Sequence, residues 1–447
     1  MNAISIAAAL LIAPLPQGGA DDLTDRLAAR AERALEADEL DGLVVVVGVG
    51  DEVLLQKGWG RLPGGGLAAP DSVFRAGPLV EPLTALAAMR LVERGALDLD
   101  APVGKYLEGL EWEGTEITVH HVLSHTSGLI GWADAYEAAG RGDIDIAGAL
   151  ELVREGGVQT PPGACFDYSE SNGLVVGALV EAVSEKTLPE AIETMVLAPA
   201  DLDATGFDVD GAPPARSQAA CSAEIAGEQI DVVHAVHVFG EDAFCASALD
   251  LFKLGQAVHG GDAFEDAAVR RMTESKRLED GSETGHGYGF SVSKLGDLTS
   301  LTKGGSADGT TVHIAYYPEP DVSVVLLVAA ERAPLGALER DLARIVLDMP
   351  LPGVQDVRLT ADEAKAFVGR YQVGCTTFEV AVREDGRLSV GVADRPNYRL
   401  LYQGRRRFVA ERDPDVTFEF VVEDGQTSAQ KMLIDERGRL SEAVRFQ

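Results

Sequence analysis

VFRAGPLVEPLTALAAMRLVERG, from Val73 to Gly95, is the segment that decides the fold. Apolar residues recur three and four positions apart in its second half, and this spacing predicts a core helix over about residues 82–94. Pro78 and Glu81 lie just before or at its start, where the missing N–H of proline and a negative charge both favour a first helical turn. The sequence therefore predicts a buried helix with these two residues at its N-terminus.

Strand patterns lie on both sides of this helix in the sequence. An amphipathic helix over about 23–38 is followed by two apolar runs across an acidic turn, which predict a hairpin, and the region from about 100 to 285 is mostly helical in pattern. Strands at both ends with helices between imply one sheet assembled from distant segments, with a helical region on its face. The predicted strands are 42–50, 53–59, 288–293, 310–317 and 322–328, followed by a helix over 335–347.

The pattern changes beyond Pro352, where short alternating segments are separated by Gly, Asp or Pro. Such spacing is typical of a small antiparallel barrel or sandwich that folds on its own core. We therefore predict three parts, namely a leader over 1–22, a first domain over 23–352 and a β-domain over 358–447.

Composition excludes one class of partner. The chain has 447 residues, a formal net charge of −34, 46% hydrophobic residues and 25% charged residues. Nucleic-acid binding depends on clustered Lys and Arg that neutralise phosphates, so we expect no nucleic-acid partner. Acidity of this size usually reflects solubility or a salty surrounding, and it identifies no substrate.

The N-terminus carries an apolar run over residues 3–13, which is too short to cross a bilayer. It resembles an export signal, although no Lys or Arg precedes it, and a packed N-terminal helix is the alternative. We expect an exported protein, periplasmic or extracellular, that does not span a membrane.

Four cysteines, Cys165, Cys221, Cys245 and Cys375, show no CxxC pairing and no neighbouring His at zinc-ligand spacing. We therefore expect no metal. Cys221 and Cys245 are close enough in sequence to form a bridge in an oxidising compartment, and separate buried thiols are the alternative.

The segment quoted first resembles the nucleophile segment of the serine β-lactamase, esterase and D-Ala-D-Ala-carboxypeptidase-like family, the penicillin-binding-protein type. Further segments follow in the family's order, and together they cover roughly residues 40 to 350. The resemblance implies an α/β (α+β) transpeptidase-like fold, an antiparallel sheet flanked by helices, and the last segment is similar to lipocalin-like barrels that some members append. The other matching segments are Ile117–Leu129 (ITVHHVLSHTSGL), Pro162–Ser169, Gly173–Val183, Leu197–Phe207, Tyr288–Phe290, Lys303–Gly305 and Tyr317–Glu319.

Active members of that family carry Ser-x-x-Lys at the start of the core helix. Counted from Phe74, the resemblance places Pro78 at the nucleophile and Glu81 at the lysine. Proline offers neither a hydroxyl nor an amide hydrogen, so the nucleophile and one backbone donor to the oxyanion are both missing. The resemblance therefore implies that no catalytic set is intact.

Two other family motifs are recognisable. Tyr-x-Asn has become Tyr168-Ser169-Glu170, and the strand motif is Lys303-Gly304-Gly305, with the N–H of Ser306 in the place of the second oxyanion donor. These residues are the candidate cleft-binding set. Because two acids replace a lysine and an amide, the pocket becomes anionic, and we expect Glu81 or Glu170 to pair with Lys303.

Other residues were weighed for a displaced chemistry. A relocated serine nucleophile near His125 is one hypothesis, although the segment around His125 is a structural turn in the family. The two acids could perform acid/base work or hold a cation, and a histidine pair three apart lacks a third metal ligand. The residues in question are Ser72, Ser169, Ser306, Glu81, Glu170, His234 and His237.

Three functional hypotheses from different classes stand at this point. The first, which we favour, is a catalytically inactive relative, an exported binding or scaffold protein that uses the old cleft or the C-terminal barrel to bind a small molecule, a peptide or a partner. The second is an active hydrolase for esters, amides or β-lactams with a displaced nucleophile. The third is a scaffold protein whose cleft is vestigial. No cofactor is expected in any of them.

Overall fold

The computed structural model describes residues 20–446 apart from several gaps, which are 39, 63–65, 132–145, 201, 203, 208–223, 226–227, 230–243, 261–263, 308 and 393–396. The first part of the chain folds into a sheet with helices on both faces. In chain order its elements are α1 (Ala20–Ala37), β1 (Gly42–Val49), β2 (Glu52–Gly60), β3 (Val73–Arg75), α2 (Val80–Glu93), α3 (Val119–Leu123), α4 (Ile146–Gly156), α5 (Glu170–Ser184), α6 (Leu188–Ile192), β4 (Gly206–Phe207), β5 (Glu224–Ile225), β6 (Glu228–Gln229), β7 (Phe244–Ser247), α7 (Ala248–His259), α8 (Asp266–Thr273), β8 (Ser291–Leu295), β9 (Leu298–Ala307), β10 (Thr310–Tyr317), β11 (Val322–Val328) and α9 (Leu335–Val346).

The main sheet has six strands in the order β2-β1-β11-β10-β9-β8. Strand β1 pairs antiparallel with β11, and Leu43 is the partner of Val328 in this register. The two strands thus come from opposite ends of the domain's sequence. Leu43, Val45 and Val47 pack towards α1 and α9, whereas Val44 and Val46 pack towards the helical region. A strand covered on both faces must be apolar at every position, which explains the continuous valine run.

The core helix α2 is the centre of the helical region, and its buried face packs against α5. It begins at Val80, two residues earlier than the sequence pattern predicts. A single 3₁₀ turn, Gly77–Leu79, precedes it and carries Pro78 at its first or second position. Pro78 therefore begins the 3₁₀ turn and not the α-helix, and its missing N–H is tolerated there for the same reason. Glu81 lies in the first turn of α2.

The C-terminal part is a closed antiparallel barrel with its own core. Of the two architectures expected, barrel or sandwich, the structure has the barrel, in which no strand edge is left open. Its bounds in chain order are α10 (Ala361–Lys365), β12 (Gly369–Val373), β13 (Thr376–Val382), β14 (Leu388–Val392), β15 (Tyr398–Gly404), β16 (Arg407–Ala410), β17 (Asp413–Val421), β18 (Lys431–Glu436) and β19 (Arg439–Arg445).

The barrel is fastened to the first domain by ion pairs and by a disulfide. Arg340 on α9 donates from Nε to Asp415 of β17 at 2.7 Å, and Arg344 contacts the same carboxylate. Cys165 and Cys375 form a disulfide with 6.1 Å between their Cα atoms.

Sequence analysis did not predict this disulfide, whose cysteines lie 210 residues apart in the chain. The possible Cys221–Cys245 bridge stays a prediction, since Cys221 lies outside the described residues. Among the described cysteines none is a free thiol, so the alternative of a separate buried thiol at Cys245 is wrong.

No helix among the described residues is long and apolar enough for a membrane span. The apolar run over residues 3–13, on which the expectation of export rests, lies outside the described residues.

Candidate functional site

The carboxylate of Glu81 is the centre of the site. Its Oε2 accepts a hydrogen bond from the phenol of Tyr168 at 2.7 Å and is in contact with the ammonium of Lys303. Its Oε1 lies 3.3 Å from Nε2 of His125 and 3.5 Å from Nε2 of His286. The Glu81 side chain is only 11% exposed, so four polar groups surround one nearly buried acid.

Each of these side chains is delivered by a different element. Lys303 lies on β9, and Tyr168 comes just before α5, whose first N–H groups are capped by the side chain of Ser169. His125 follows α3 with a φ of 52°, an unusual conformation for a residue with a side chain. Its carbonyl accepts from the N–H of Asp167 at 2.9 Å, so the two loops are joined beside the site.

Charge compensation keeps Glu81 ionised. Burial by itself would raise the pKa of this carboxyl, but the ammonium of Lys303 and the imidazoles of His125 and His286 hold the pKa well below its usual range. Burial lowers the pKa of His286, against the opposing attraction of Glu81. Near neutral pH the site therefore contains an ion pair, Glu81 with Lys303, beside a neutral His286.

A metal ion is the first occupant to test, because ligand atoms of Glu81, His125 and His286 lie within 4.8 Å of one another. The Nε2 of His286 is buried without a hydrogen-bond partner, as a vacant ligand would be. However, Nδ1 of His125 accepts from the backbone N–H of Ser169 at 3.3 Å. That contact places the proton of a neutral imidazole on Nε2, which must be bare to bind a metal.

The cation already in the site also opposes a metal. Lys303 contacts the same carboxylate, so a divalent ion at Oε1 would lie beside an ammonium in a nearly dry setting. On both grounds the residues fit a protein-satisfied ion pair better than a metal centre.

The ring of Pro78 lies against β9 near the C-terminal end of that strand. A Cβ added at Gly305 would come within 2.8 Å of Cγ and 2.9 Å of Cβ of Pro78. The 3₁₀ turn and β9 therefore approach so closely that only glycine fits at position 305 without displacement. The hydroxyl of Ser306 is hydrogen-bonded to that of Thr311 and accepts from the N–H of Arg332.

Comparison with known proteins places this arrangement in a family. A family model described as Beta-lactamase matches residues 27–348. The chain belongs to the Beta-lactamase family.

Two curated relatives illustrate the range of this family. Esterase EstB of Burkholderia gladioli is 32% identical over 206 residues, which are 42% of this chain and 52% of the esterase. A penicillin-binding protein of Bacillus subtilis (strain 168) is 24% identical over 406 residues, 84% of this chain and 88% of that protein. The alignment thus spans about half the length of the esterase.

Among solved structures, the octameric penicillin-binding protein homologue from Pyrococcus abyssi superposes with a TM-score of 0.64 at 21% identity. The superposition covers 94% of this chain and 99% of the Pyrococcus abyssi chain. At this identity the likeness concerns the fold, and it agrees with the expected β-lactamase or transpeptidase-like architecture.

Within this family member, the expected pairing of an acid with Lys303 is met by Glu81 and not by Glu170. Glu170 is exposed at the first position of α5, where a negative charge is favourable. The structure therefore brings together Glu81, Tyr168 and Lys303, and leaves Glu170 at the rim of the same pocket.

The hydroxyl groups of the other candidate serines make their hydrogen bonds away from this cluster. The hydroxyl of Ser72 accepts from the N–H of Ala69, and that of Ser169 accepts from the N–H of Ser171. His234 and His237 lie outside the described residues. Within the described part of the chain, neither Ser72 nor Ser169 has its hydroxyl bonded to an imidazole or an amine, as an activated nucleophile requires.

His286 was missed by sequence reasoning. It lies two residues before Tyr288-Gly-Phe290, a segment used to place a strand and to match the family, and its distance in sequence from Glu81 gave no reason to pair them. Phe166 was missed in the same way, although its ring covers His286 with 5.2 Å between ring centroids.

Proposed function

We propose that this Beta-lactamase family member is catalytically inactive and acts as an exported protein that binds a small molecule or peptide, or a partner. The observation that supports this most is the contact between Glu81 and Lys303, with Pro78 in the turn before α2. Family chemistry would require a hydroxyl at position 78 and an amine at position 81, and the chain has a pyrrolidine ring and a carboxylate there.

The electrostatics support the same proposal. A general base works best when its pKa is near the operating pH, whereas the pKa of Glu81 is held well below the usual range for a carboxyl. The amine of Lys303 is bound to that carboxylate and also lies 3.4 Å from the phenol oxygen of Tyr168. Groups tied to one another in this way stabilise the fold and leave little capacity to move a substrate proton.

The size of the adjacent space agrees with a non-catalytic site. A cavity of about 30 Å³ lies beside Glu81, lined among others by Thr84, His125, Tyr168 and Val176. Such a volume has room for water-sized occupants. A ligand larger than this would bind at the rim, where Tyr168 is 38% exposed.

Export is part of the proposal. Disulfides persist in oxidising compartments and are rare in the cytosol, so the Cys165–Cys375 bridge supports a periplasmic or extracellular site. The relatives named as penicillin-binding proteins suggest a peptide or β-lactam-like ligand as the first class to test.

Covalent labelling tests the inactivity. We expect no stoichiometric labelling of the wild type by a fluorescent penicillin or a fluorophosphonate, and labelling at position 78 in the double variant Pro78→Ser, Glu81→Lys. Pro78→Ala, Glu81→Lys is the matched control, because it has the same charges without the hydroxyl. Stoichiometric labelling of the wild type, mapped by peptide mass spectrometry, would restore the hypothesis of an active hydrolase with a displaced nucleophile.

Thermal shifts separate a binding protein from a scaffold. A ligand present at a hundred times its Kd stabilises the folded state by about 2.7 kcal/mol. We expect a penicillin or a D-Ala-D-Ala dipeptide to raise Tm, and Tyr168→Ala to abolish that shift. If neither compound alters Tm, a scaffold with a vestigial cleft becomes the better account.

A further inference from the structure

The barrel contacts both outer loops of the candidate site. Cys375, in the turn between β12 and β13, is bonded to Cys165 in the loop that leads to α5. On the other side, Arg439 of β19 donates from its guanidinium to the carbonyl of Thr284 at 2.6 Å. A Cβ at Gly285 would come within 3.1 Å of that guanidinium, so the barrel lies close against this loop as well.

Both loops carry residues of the site immediately beyond these contacts. Phe166 directly follows Cys165, and its ring lies 6.3 Å from the ring of His125 and 5.2 Å from that of His286, centroid to centroid. His286 itself comes two residues after Thr284. The two histidines beneath Phe166 are 4% and 5% exposed, so this aromatic side chain and its neighbours keep solvent from them.

The two cysteines of the disulfide differ in their exposure to solvent. Cys165 is 6% exposed, whereas Cys375 is exposed. Thiol–disulfide exchange begins with the attack of a thiolate on an accessible sulfur, so Cys375 is the sulfur at which a reductant would start.

We propose that the Cys165–Cys375 bridge is a redox latch, a covalent fastening whose reduction exposes the histidine side of the site. A dithiol reductant attacks Sγ of Cys375, forms a mixed disulfide there and releases Cys165 as a thiolate. The second thiol of the reductant then closes its own disulfide and releases Cys375, so two electrons and two protons pass from the dithiol to the two cysteines. This inference goes beyond the proposed function and holds whether or not the site is catalytic.

Other contacts decide how far the latch opens. After reduction the loop keeps two backbone hydrogen bonds to the segment around His125, from Gly163 to Thr126 and from Asp167 to His125. These bonds hold the backbone on either side of Phe166, and they lie within the first domain. The expected change is therefore local, a displacement of Phe166 away from His125 and His286, and not an unfolding of the domain.

Histidine modification measures this opening. Purified full-length protein is treated with diethyl pyrocarbonate before and after reduction by a dithiol, and the modified residues are mapped by mass spectrometry. We expect reduction to raise the modification rates of His125 and His286 about tenfold, as for a local opening that becomes easier. His259 on α7, which stacks on Tyr316, is the internal control whose rate stays unchanged.

A second variant keeps the test independent of the reductant. Cys165→Ser, Cys375→Ser removes only this bridge, and its circular dichroism spectrum shows whether it folds. In the folded variant the two histidines should react at the rate of the reduced wild type, with or without dithiol. Unchanged rates at His125 and His286 on reduction, or an equal rise at His259, would overturn the proposal.

Discussion

Two largely buried carboxylates, Glu81 and Asp415, have a similar exposure to solvent but are bound by different kinds of cation. Both side chains are little exposed, 11% for Glu81 and 18% for Asp415. Burial would raise the pKa of Asp415, as it would for Glu81, but Arg344 and Arg340 lower it below the usual value. In each case nearby cations offset the desolvation of one acid.

The difference lies in the chemistry of the neighbours. Asp415 is held by two guanidinium groups, which stay charged at all ordinary pH values and suit a permanent joint between barrel and domain. Glu81 is held by an amine, a phenol and two imidazoles, the types of group that take part in proton transfer. A buried ion pair therefore indicates function only through the kind of groups that form it and the place where they lie.

The largest effect should come from removing the cation at Glu81. Lys303→Met leaves a nearly buried acid without its counter-charge, and we expect the free energy of unfolding to fall by about 3–5 kcal/mol in urea denaturation. The double variant Glu81→Gln, Lys303→Met should recover most of this loss, since neither charge then remains. If the single variant costs no more than the double, the two groups are not coupled as the structure has them.

The corresponding change at the joint should cost somewhat less. Asp415→Ala removes the carboxylate that Arg340 and Arg344 share, but Arg344 keeps its pair with Asp341 and Arg340 still donates to the carbonyl of Lys294. We therefore expect a loss of about 3 kcal/mol together with faster proteolysis between α9 and the barrel. Glu442→Gln, which breaks an exposed pair with Lys431 on the barrel surface, is the control and should cost less than about 0.5 kcal/mol. Equal costs would contradict a buried joint.

A steric change tests the contact between Pro78 and β9. Gly305→Ala forces a methyl group against the pyrrolidine ring, and overpacking of this kind should cost about 2 kcal/mol. The same change in a Pro78→Ala background should cost clearly less, because the ring is gone. A double-mutant cycle with no coupling energy would show that Pro78 is not where the structure has it.

Acid should weaken the Glu81 region before the Asp415 joint. Burial lowers the pKa of His286, so the stability it contributes is complete above the unfolded value of about 6.5 and is lost as pH falls below that value. The stability that the ionised Glu81 contributes persists to lower pH, because the pKa of its carboxyl is depressed. Protection factors from hydrogen exchange, which are corrected for the pH dependence of the intrinsic exchange rate, should therefore be lower at pH 5 than at pH 7.5 around His286 and equal at the two pH values around Asp415, and His286→Gln should remove the difference.

Much of the architecture could be predicted from local pattern. The spacing along α2 is typical of a helix and the alternation in the C-terminal segments is typical of strands, whereas the continuous valine run of β1 indicates a strand that is covered on both faces. The pairing of an acid with Lys303 followed from counting charges at aligned positions, which needs no coordinates. To decide whether Glu81 or Glu170 pairs with Lys303, the direction of each side chain must be known, and the spacing of residues in the sequence does not give that direction.

Contacts between distant loops account for the rest. The approach of His286 to Glu81 and of Cys165 to Cys375 depends on how two loops and a barrel meet, and no periodicity in either segment reports this. Nothing in four scattered cysteines ranks one partner above another. The helix α2 begins two residues before its predicted start. The sequence does not mark this boundary, because a 3₁₀ turn and the first turn of an α-helix accept the same residue types.

The pairing of β1 with β11 has a consequence for how the chain is made. Strand β1 can pair with β2 as soon as both leave the ribosome, yet its other partner, β11, follows only after almost all of the first domain has been synthesised. Until then a run of five aliphatic residues, Leu43 to Val47, is paired with β2 on one side only, and its other edge is open to pairing with other chains. Synthesis that stops before Val328 should accordingly yield insoluble material, however well its helices form.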